Sequence, residues 1–196
     1  RAGYTFDGWY ALASGGSAIT FPYAHGQTGD FTLYAQWTTN TLTVTTDEQG
    51  GTAIGNASTT TGASMLSPGT PTRAGYTFAG WYTAASAGTL VTFPYAHGRT
   101  SDFTLFARWT ANTLSVSYDA NGGTSPSGGV ISTTTESTLS SLATTTRAGY
   151  GFTGWFTAAS GGTQVTTSAG HGQTAGFTLY AQWTANTLTV TTDEQG

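Results

Sequence analysis

Arg73-Ala-Gly-Tyr-Thr-Phe-Ala-Gly-Trp-Tyr82 occurs in two further versions, Arg1-Ala-Gly-Tyr-Thr-Phe-Asp-Gly-Trp-Tyr10 and Arg147-Ala-Gly-Tyr-Gly-Phe-Thr-Gly-Trp-Phe156. A second shared stretch follows each: Phe31-Thr-Leu-Tyr-Ala-Gln-Trp37, Phe103-Thr-Leu-Phe-Ala-Arg-Trp109 and Phe177-Thr-Leu-Tyr-Ala-Gln-Trp183. The two tryptophans of a copy are always 28 residues apart (37 − 9, 109 − 81, 183 − 155), and the copies start 72 and then 74 residues apart (73 − 1, 147 − 73). Self-similarity at a fixed period marks a repeat architecture and decides the fold before any single residue does. Residues 1–39 then read as a partial repeat lacking its opening strand. Residues 40–111 and 112–185 are full repeats. Residues 186–196 copy residues 40–50 letter for letter and read as the opening strand of a further repeat.

Within a repeat the signals are those of strands. Phe31, Leu33, Ala35 and Trp37 alternate with Thr32, Tyr34, Gln36 and Thr38, which predicts a strand with one buried face. Leu42 and Val44 alternate with threonines in the same way and stop at Asp47-Glu-Gln-Gly-Gly51, and Leu114, Val116 and Tyr118 stop at Asp119-Ala-Asn-Gly-Gly123. Strict alternation would place Trp9 on the face opposite Tyr4 and Phe6, so a bulge is expected at Gly8. Ser14-Gly-Gly16 is a turn, and Ala18-Ile-Thr-Phe21 reads as a short return strand ended by Pro22. Thr135 or Ser137 caps one or two helical turns carrying Leu139 and Leu142. The fold class expected is mostly β, α+β at most. Its core holds Trp81 and Trp109 with Tyr76, Phe78, Phe103 and Leu105 around them.

Composition narrows the chemistry. A unit of about 70 residues is only marginally stable alone and leans on aromatic rings, each worth roughly 150–250 Å² of buried surface; aromatics make up 13% of this chain, with six Trp. Charged residues are 7%, and five Arg against nine acids leave a net charge of −4. That offers no basic patch for nucleic acid or anionic lipid. There is no cysteine and no lysine, which removes disulfides, thiolate chemistry, thioesters and Lys–Asn isopeptide cross-links. No apolar run approaches the roughly 18 residues of a membrane span.

Three motifs in fixed order resemble the Listeria–Bacteroides repeat, the family that includes the internalin B-repeat. They are Val116-Ser-Tyr-Asp-Ala-Asn-Gly-Gly123, Pro71-Thr-Arg-Ala-Gly-Tyr-Thr-Phe-Ala-Gly-Trp-Tyr82 and Leu179-Tyr-Ala-Gln-Trp183. The opening at 44–51 departs from the pattern at Thr45 and Glu48. The resemblance spans essentially the whole chain. It implies small β-grasp-like units in tandem on secreted or surface-anchored bacterial proteins, acting as stalks, spacers and interaction modules rather than as enzymes.

His25, His97 and His171 recur at one position, but the nearby Asp30 and Asp102 are matched by Gly176 in the third copy. Turn histidines fit better than metal ligands. No carboxylate pair and no Ser–His–acid set recurs between copies, and no Gly-rich loop introduces a helix. No catalytic, cofactor-binding or metal residue is therefore selected, and no cofactor is expected. The rival to a structural role is a carbohydrate-binding module using the second-face aromatics Tyr34, Phe106 and Tyr180. The expectation is a structural or adhesive segment of an extracellular or cell-surface protein. Its expected partners are further copies head to tail and surface proteins or glycans, without nucleic acid and without membrane insertion. The tail 186–196 would complete the 1–39 region of the next copy, continue a longer array, or dock on its own head.

Overall fold

The computed structural model describes residues 1–193. Thirteen strands carry the described chain. They are β1 (Tyr4–Tyr10), β2 (Tyr34–Thr39), β3 (Thr41–Asp47), β4 (Ala57–Thr60), β5 (Ser64–Met65), β6 (Tyr76–Tyr82), β7 (Tyr95–Ala96), β8 (Phe103–Ala111), β9 (Thr113–Asp119), β10 (Ser132–Thr134), β11 (Tyr150–Phe156), β12 (Gln164–Val165) and β13 (Phe177–Ala185). The mostly β expectation holds. Two compact units divide the chain: residues 1–73 with 78–109, and residues 74–77 with 110–196.

In the second unit the sheet order is β10-β9-β13-β11-β12. The opening strand β9 and the closing strand β13 run parallel at its centre, with Val116 opposite Phe177 and Tyr118 opposite Leu179. β10 and β11 flank them antiparallel. A parallel pair cannot be closed by a tight turn, so the rest of the repeat is the crossover between them. The first unit repeats this with the order β4-β3-β8-β6, β3 and β8 again being parallel. It also holds the hairpin β1-β2 and the short pair β5-β7.

The bulge expected from residue parity is present. The β1–β2 register slips between Phe6 and Gly8, and the β11–β13 register slips between Phe152 and Gly154. The backbone there needs φ of +130° and +144°, values open to glycine but not to side chains with a Cβ. The slip turns the tryptophan onto the face of the phenylalanine. Phe152 then meets Trp155 at 5.7 Å and Trp183 at 5.3 Å between ring centroids, and Phe78 bridges Trp81 and Trp109 at 5.6 and 5.5 Å.

Val44, Met65, Trp81, Val91, Leu105 and Ala107 form one core, and Val116, Leu139, Ala143, Trp155, Leu179 and Ala181 the other. Trp81 and Trp155 are 2% and 1% exposed, and each indole N–H donates to a backbone carbonyl, of Gly69 at 2.9 Å and Ala143 at 2.8 Å. Trp109 is half-buried rather than largely buried. It packs on the core while its N–H donates to the Glu48 carbonyl at 2.9 Å, closing the opening loop. Tyr76 is no part of that core: its hydroxyl donates to Glu136 at 2.7 Å in the second unit.

Four local expectations are corrected. The helix over 135–142 does not form. Glu136 takes φ +58°, and the backbone of 137–138 pairs with residues 170–171, so extended chain rather than helix delivers Leu139 to the core. The strand expected from Phe31 starts only at Tyr34 in β2, whereas β8 and β13 start at the equivalent Phe103 and Phe177. Residues 103–106 and 177–180 pair with an opening strand, and no such strand lies beside residues 31–33 among the described residues. The return strand over 18–21 shrinks to one bond, from Ile19 N–H to the Trp9 carbonyl at 2.8 Å. Residues 186–193 form no strand, with Leu188 and Val190 85% and 88% exposed; residues 194–196 lie outside the described part. A lone segment without a ladder partner gains too little to order as β.

Candidate functional site

The three histidines sit in one small device. In each, the ring Nδ1 accepts the backbone N–H two residues on: Gln27 to His25 at 3.0 Å, Arg99 to His97 at 2.9 Å and Gln173 to His171 at 3.0 Å. Each ring also lies on the phenylalanine that starts the closing stretch, at 4.9, 5.2 and 5.0 Å from Phe31, Phe103 and Phe177. With Nδ1 accepting, Nε2 carries the proton, and it faces the Thr59 hydroxyl at 3.3 Å in one copy and the Thr134 carbonyl at 3.1 Å in another. Both ring nitrogens of His97 and His171 are thus engaged within the protein. Among the described residues no three His, Cys, Asp or Glu side chains come together as a metal cluster would need.

The second-face aromatics are not one surface. Tyr34 is exposed, while Phe106 and Tyr180 are half-buried. Tyr34 lies directly opposite Tyr10, and Tyr180 opposite Phe156, the arrangement in which aromatic cross-strand pairs stabilise a sheet. The residue before each closing tryptophan also has an internal task. Gln36 and Gln182 donate to carbonyls of the Ser/Ala-Gly turn, Gly15 at 2.8 Å and Ala158 at 3.0 Å, and Arg108 donates to Ala84 at 3.2 Å.

A second repeated geometry, which the sequence reading passed over, is a seam around Gly3 and Gly75. In the first unit the Asn40 N–H donates to the Gly3 carbonyl at 3.0 Å, the Thr61 N–H to the Asn40 carbonyl at 3.0 Å, and the Thr5 hydroxyl to the Asn40 side chain at 2.7 Å. In the second unit Asn112 donates to Gly75 at 2.9 Å, Thr135 to Asn112 at 3.0 Å, and Thr77 to the Asn112 side chain at 2.6 Å. The Thr135 hydroxyl adds a bond to the Gly75 carbonyl at 2.5 Å. Both glycines have left-handed φ, +76° and +78°, and a Cβ there would come within 2.6–2.7 Å of Thr61 or Thr135. Asn186 repeats the first bond, to Gly149 at 2.9 Å, but nothing lies within 4 Å of a Cβ on Gly149. The signal was available: Gly and Asn are 37 residues apart in all three copies (40 − 3, 112 − 75, 186 − 149).

Two titratable groups are displaced from their ordinary values. Glu48 is held below the usual carboxylate value, first by the Thr46 hydroxyl at 2.7 Å and then, against a smaller opposing effect of burial, by the Ile54 N–H at 3.1 Å. Burial raises the Tyr118 phenol, whose ring meets Trp155 at 4.8 Å. Both sit in core-supporting positions.

Comparison with known proteins agrees with this repeat geometry. The chain is 38% identical over 112 residues to Internalin H of Listeria monocytogenes serovar 1/2a (strain ATCC BAA-679 / EGD-e), covering 57% of this chain and 20% of that protein. Two provisionally named membrane proteins of Evansella cellulosilytica, one of them termed Gly-rich, are 29% and 28% identical over 95% and 97% of this chain, covering 27% and 21% of their own lengths. The chain therefore spans about a fifth to a quarter of these relatives. The Listeria-Bacteroides repeat domain matches three times, over residues 1–36, 43–108 and 115–182, and the chain belongs to that family.

Proposed function

We propose that this chain is a structural and adhesive repeat segment of a bacterial extracellular or cell-surface protein, a stalk without catalytic activity. One observation carries the reading: a single residue joins successive repeats. β2 ends at Thr39 and β3 begins at Thr41, and β8 ends at Ala111 and β9 begins at Thr113. Asn40 and Asn112, the joining residues, are themselves fixed by the seam bonds. A connection one residue long leaves no separate linker segment between successive repeats in the chain, as a tandem spacer requires. The surface kinship of an internalin and of membrane proteins supports the location. No helix among the described residues is long and apolar enough to cross a membrane.

Head-to-tail association of copies belongs to the same reading. Leu188 and Val190 are exposed, and Phe31 has no opening strand beside it among the described residues, so a tail seated on the next copy's head would cover both. Small-angle scattering from chains of two, four and six repeats tests the stalk. The maximum dimension should grow linearly, by about 30 Å per repeat from compact-domain scaling. Growth only as the cube root of length would overturn it. Sedimentation tests association, which should fall when Leu188 and Val190 are both changed to Ser.

A further inference from the structure

Repeat 3 (residues 112–185) differs from repeat 1 (residues 1–39) and repeat 2 (residues 40–111) ahead of its histidine. Repeats 1 and 2 carry Phe21-Pro-Tyr23 and Phe93-Pro-Tyr95; repeat 3 has Thr167-Ser-Ala169 instead. In repeat 2, Phe93 and Tyr95 pack against the core, and Tyr95 meets Phe103 edge-on at 6.4 Å. Tyr23 meets Phe31 in the same way in repeat 1. Without those rings, two adjoining hollows of about 290 and 310 Å³ open beside β12 and the start of β13, sharing Thr157, Val165, His171 and Gln173 as walls. Phe177, Thr178 and Tyr180 line the first of them.

Three further exchanges relative to repeat 2, the first two shared with repeat 1 as Gln27 and Tyr34 and the third found in repeat 3 alone, fit the space for a polar ring. Arg99, whose guanidinium lies 5.7 Å from the Phe103 ring, becomes Gln173. Phe106 becomes Tyr180, adding a hydroxyl at the rim. Asp102, which accepts the Thr43 N–H at 2.7 Å, becomes Gly176, where a Cβ would meet the Ser115 hydroxyl at 2.5 Å. None of the lining residues is Asp, Glu, Lys or Arg. The Gln173 amide, the Thr178 hydroxyl and the Tyr180 hydroxyl make no side-chain hydrogen bond to other described residues, while both His171 nitrogens are already engaged.

We propose that this cleft binds one pyranose ring of an uncharged glycan, packed against the part of the Phe177 ring that lines the cavity and is not covered by His171, and hydrogen-bonded by Gln173, Thr178 and Tyr180. The volumes stand at the low end of the roughly 300–1,000 Å³ of small-ligand pockets, which suits a single ring. Uncharged donors and acceptors around an aromatic face match hydroxyls over a ring's apolar face. A purely aromatic occupant would leave those three polar groups buried without partners, at a cost. The site is independent of the stalk reading, since it needs repeat 3 alone.

Two-dimensional amide NMR of the full chain tests the proposal, with the methyl glycosides of glucose, galactose, mannose and N-acetylglucosamine as probes. At least one should shift the Gln173 side-chain amide and the Gly176 N–H saturably, with a dissociation constant on the order of 1–10 mM, as expected for so small a ligand. Gln173→Ala should weaken it about tenfold through the lost hydrogen bond, and Gln27→Ala in repeat 1 should leave it unchanged. The triple variant Thr167→Phe, Ser168→Pro, Ala169→Tyr should refill the cleft and abolish binding; if it does not fold, Gln173→Ala decides. No saturable shift from any glycoside would overturn the proposal. So would shifts confined to other repeats, or binding of N-acetyltyrosinamide in place of the sugars.

Discussion

Phe31-Thr-Leu-Tyr-Ala-Gln-Trp37 and Phe177-Thr-Leu-Tyr-Ala-Gln-Trp183 are the same seven residues in two different environments. In repeat 3 the segment is strand from its first residue, paired with β9, and Leu179 is buried. In repeat 1 the strand begins three residues later and Leu33 is only half-buried. The partner tryptophans diverge further: Trp155 is 1% exposed and Trp9 43%. Trp155 donates its N–H to the Ala143 carbonyl, and Trp9 has no equivalent bond among the described residues. The closing hairpin folds as β structure in both, with the same bulge at Gly8 and Gly154. A core appears only where an opening strand and its crossover lie over that hairpin. The hairpin is local; the burial is not.

The largest expected effect breaks the comparison at its core. Trp81→Ala or Trp155→Ala should cost roughly 3–5 kcal/mol, as for other large buried aromatics, whereas Trp9→Ala should cost about 0.5–1 kcal/mol, near the range of surface changes. Urea denaturation followed by far-ultraviolet circular dichroism distinguishes them, and equal losses would dissolve the contrast. Its constructive counterpart places a copy of residues 112–146 ahead of Arg1. Trp9 fluorescence should then shift to the blue, and Trp9→Ala should become as costly as Trp155→Ala.

The seam offers the next contrast. Gly75→Ala and Gly149→Ala both put a Cβ on a left-handed residue, worth about 1–2 kcal/mol. Only at Gly75 does that Cβ also collide with Thr135 and Thr174. Gly75→Ala should therefore destabilise by more than Gly149→Ala, the excess reporting the seam itself. Equal melting temperatures for the two variants would show that Thr135 yields freely.

Smaller again is the histidine pair. His97 is buried with both nitrogens bonded, and His25 is exposed. His97→Ala should lower stability by about 1–2 kcal/mol, the cost of orphaned buried partners, while His25→Ala should be close to neutral. Neither should change the metal content of purified protein. Stoichiometric zinc or copper that is lost in the triple histidine variant would reverse that view.

The smallest effect is electrostatic. Glu48 is held below its ordinary value of 4.5 in the folded state, and the matching residue in repeat 3 is Ala120. A depressed carboxylate contributes stability that is present above its unfolded value and is lost as pH falls through the folded one. Repeat 2 should therefore lose a little more stability than repeat 3 on acidification below about pH 4.5, and Glu48→Ala should remove the difference. A difference that survives the substitution would assign it elsewhere.

Much of this was legible in residue order because it depends on neighbours in sequence. Parity alone required a bulge between Phe6 and Trp9, and alternation alone placed Leu105 inside. The failures share a cause. Leu139 and Leu142 have helical spacing, yet the backbone at 137–138 finds ladder partners 34 and 32 residues away (171 − 137, 170 − 138), and tertiary pairing overrides a weak local preference. Tyr76 alternates onto the Phe78 face but stands at the strand's end, where Glu136 rather than the core receives it. The seam escaped notice because its glycine, asparagine and threonine are individually ordinary and become a motif only in contact.

By itself the sequence determined the period, most of the strands, the bulge, the place of Trp81 in the core and the family, since periodicity and glycine's backbone freedom act over a few residues. The tertiary structure alone decided that opening and closing strands pair in parallel and how much less deeply the same closing segment is buried in repeat 1 than in repeat 3. It also decided that three exchanged residues in repeat 3 open a cleft. Each of these depends on surface removed from water by segments distant in the chain, a quantity that local pattern does not contain.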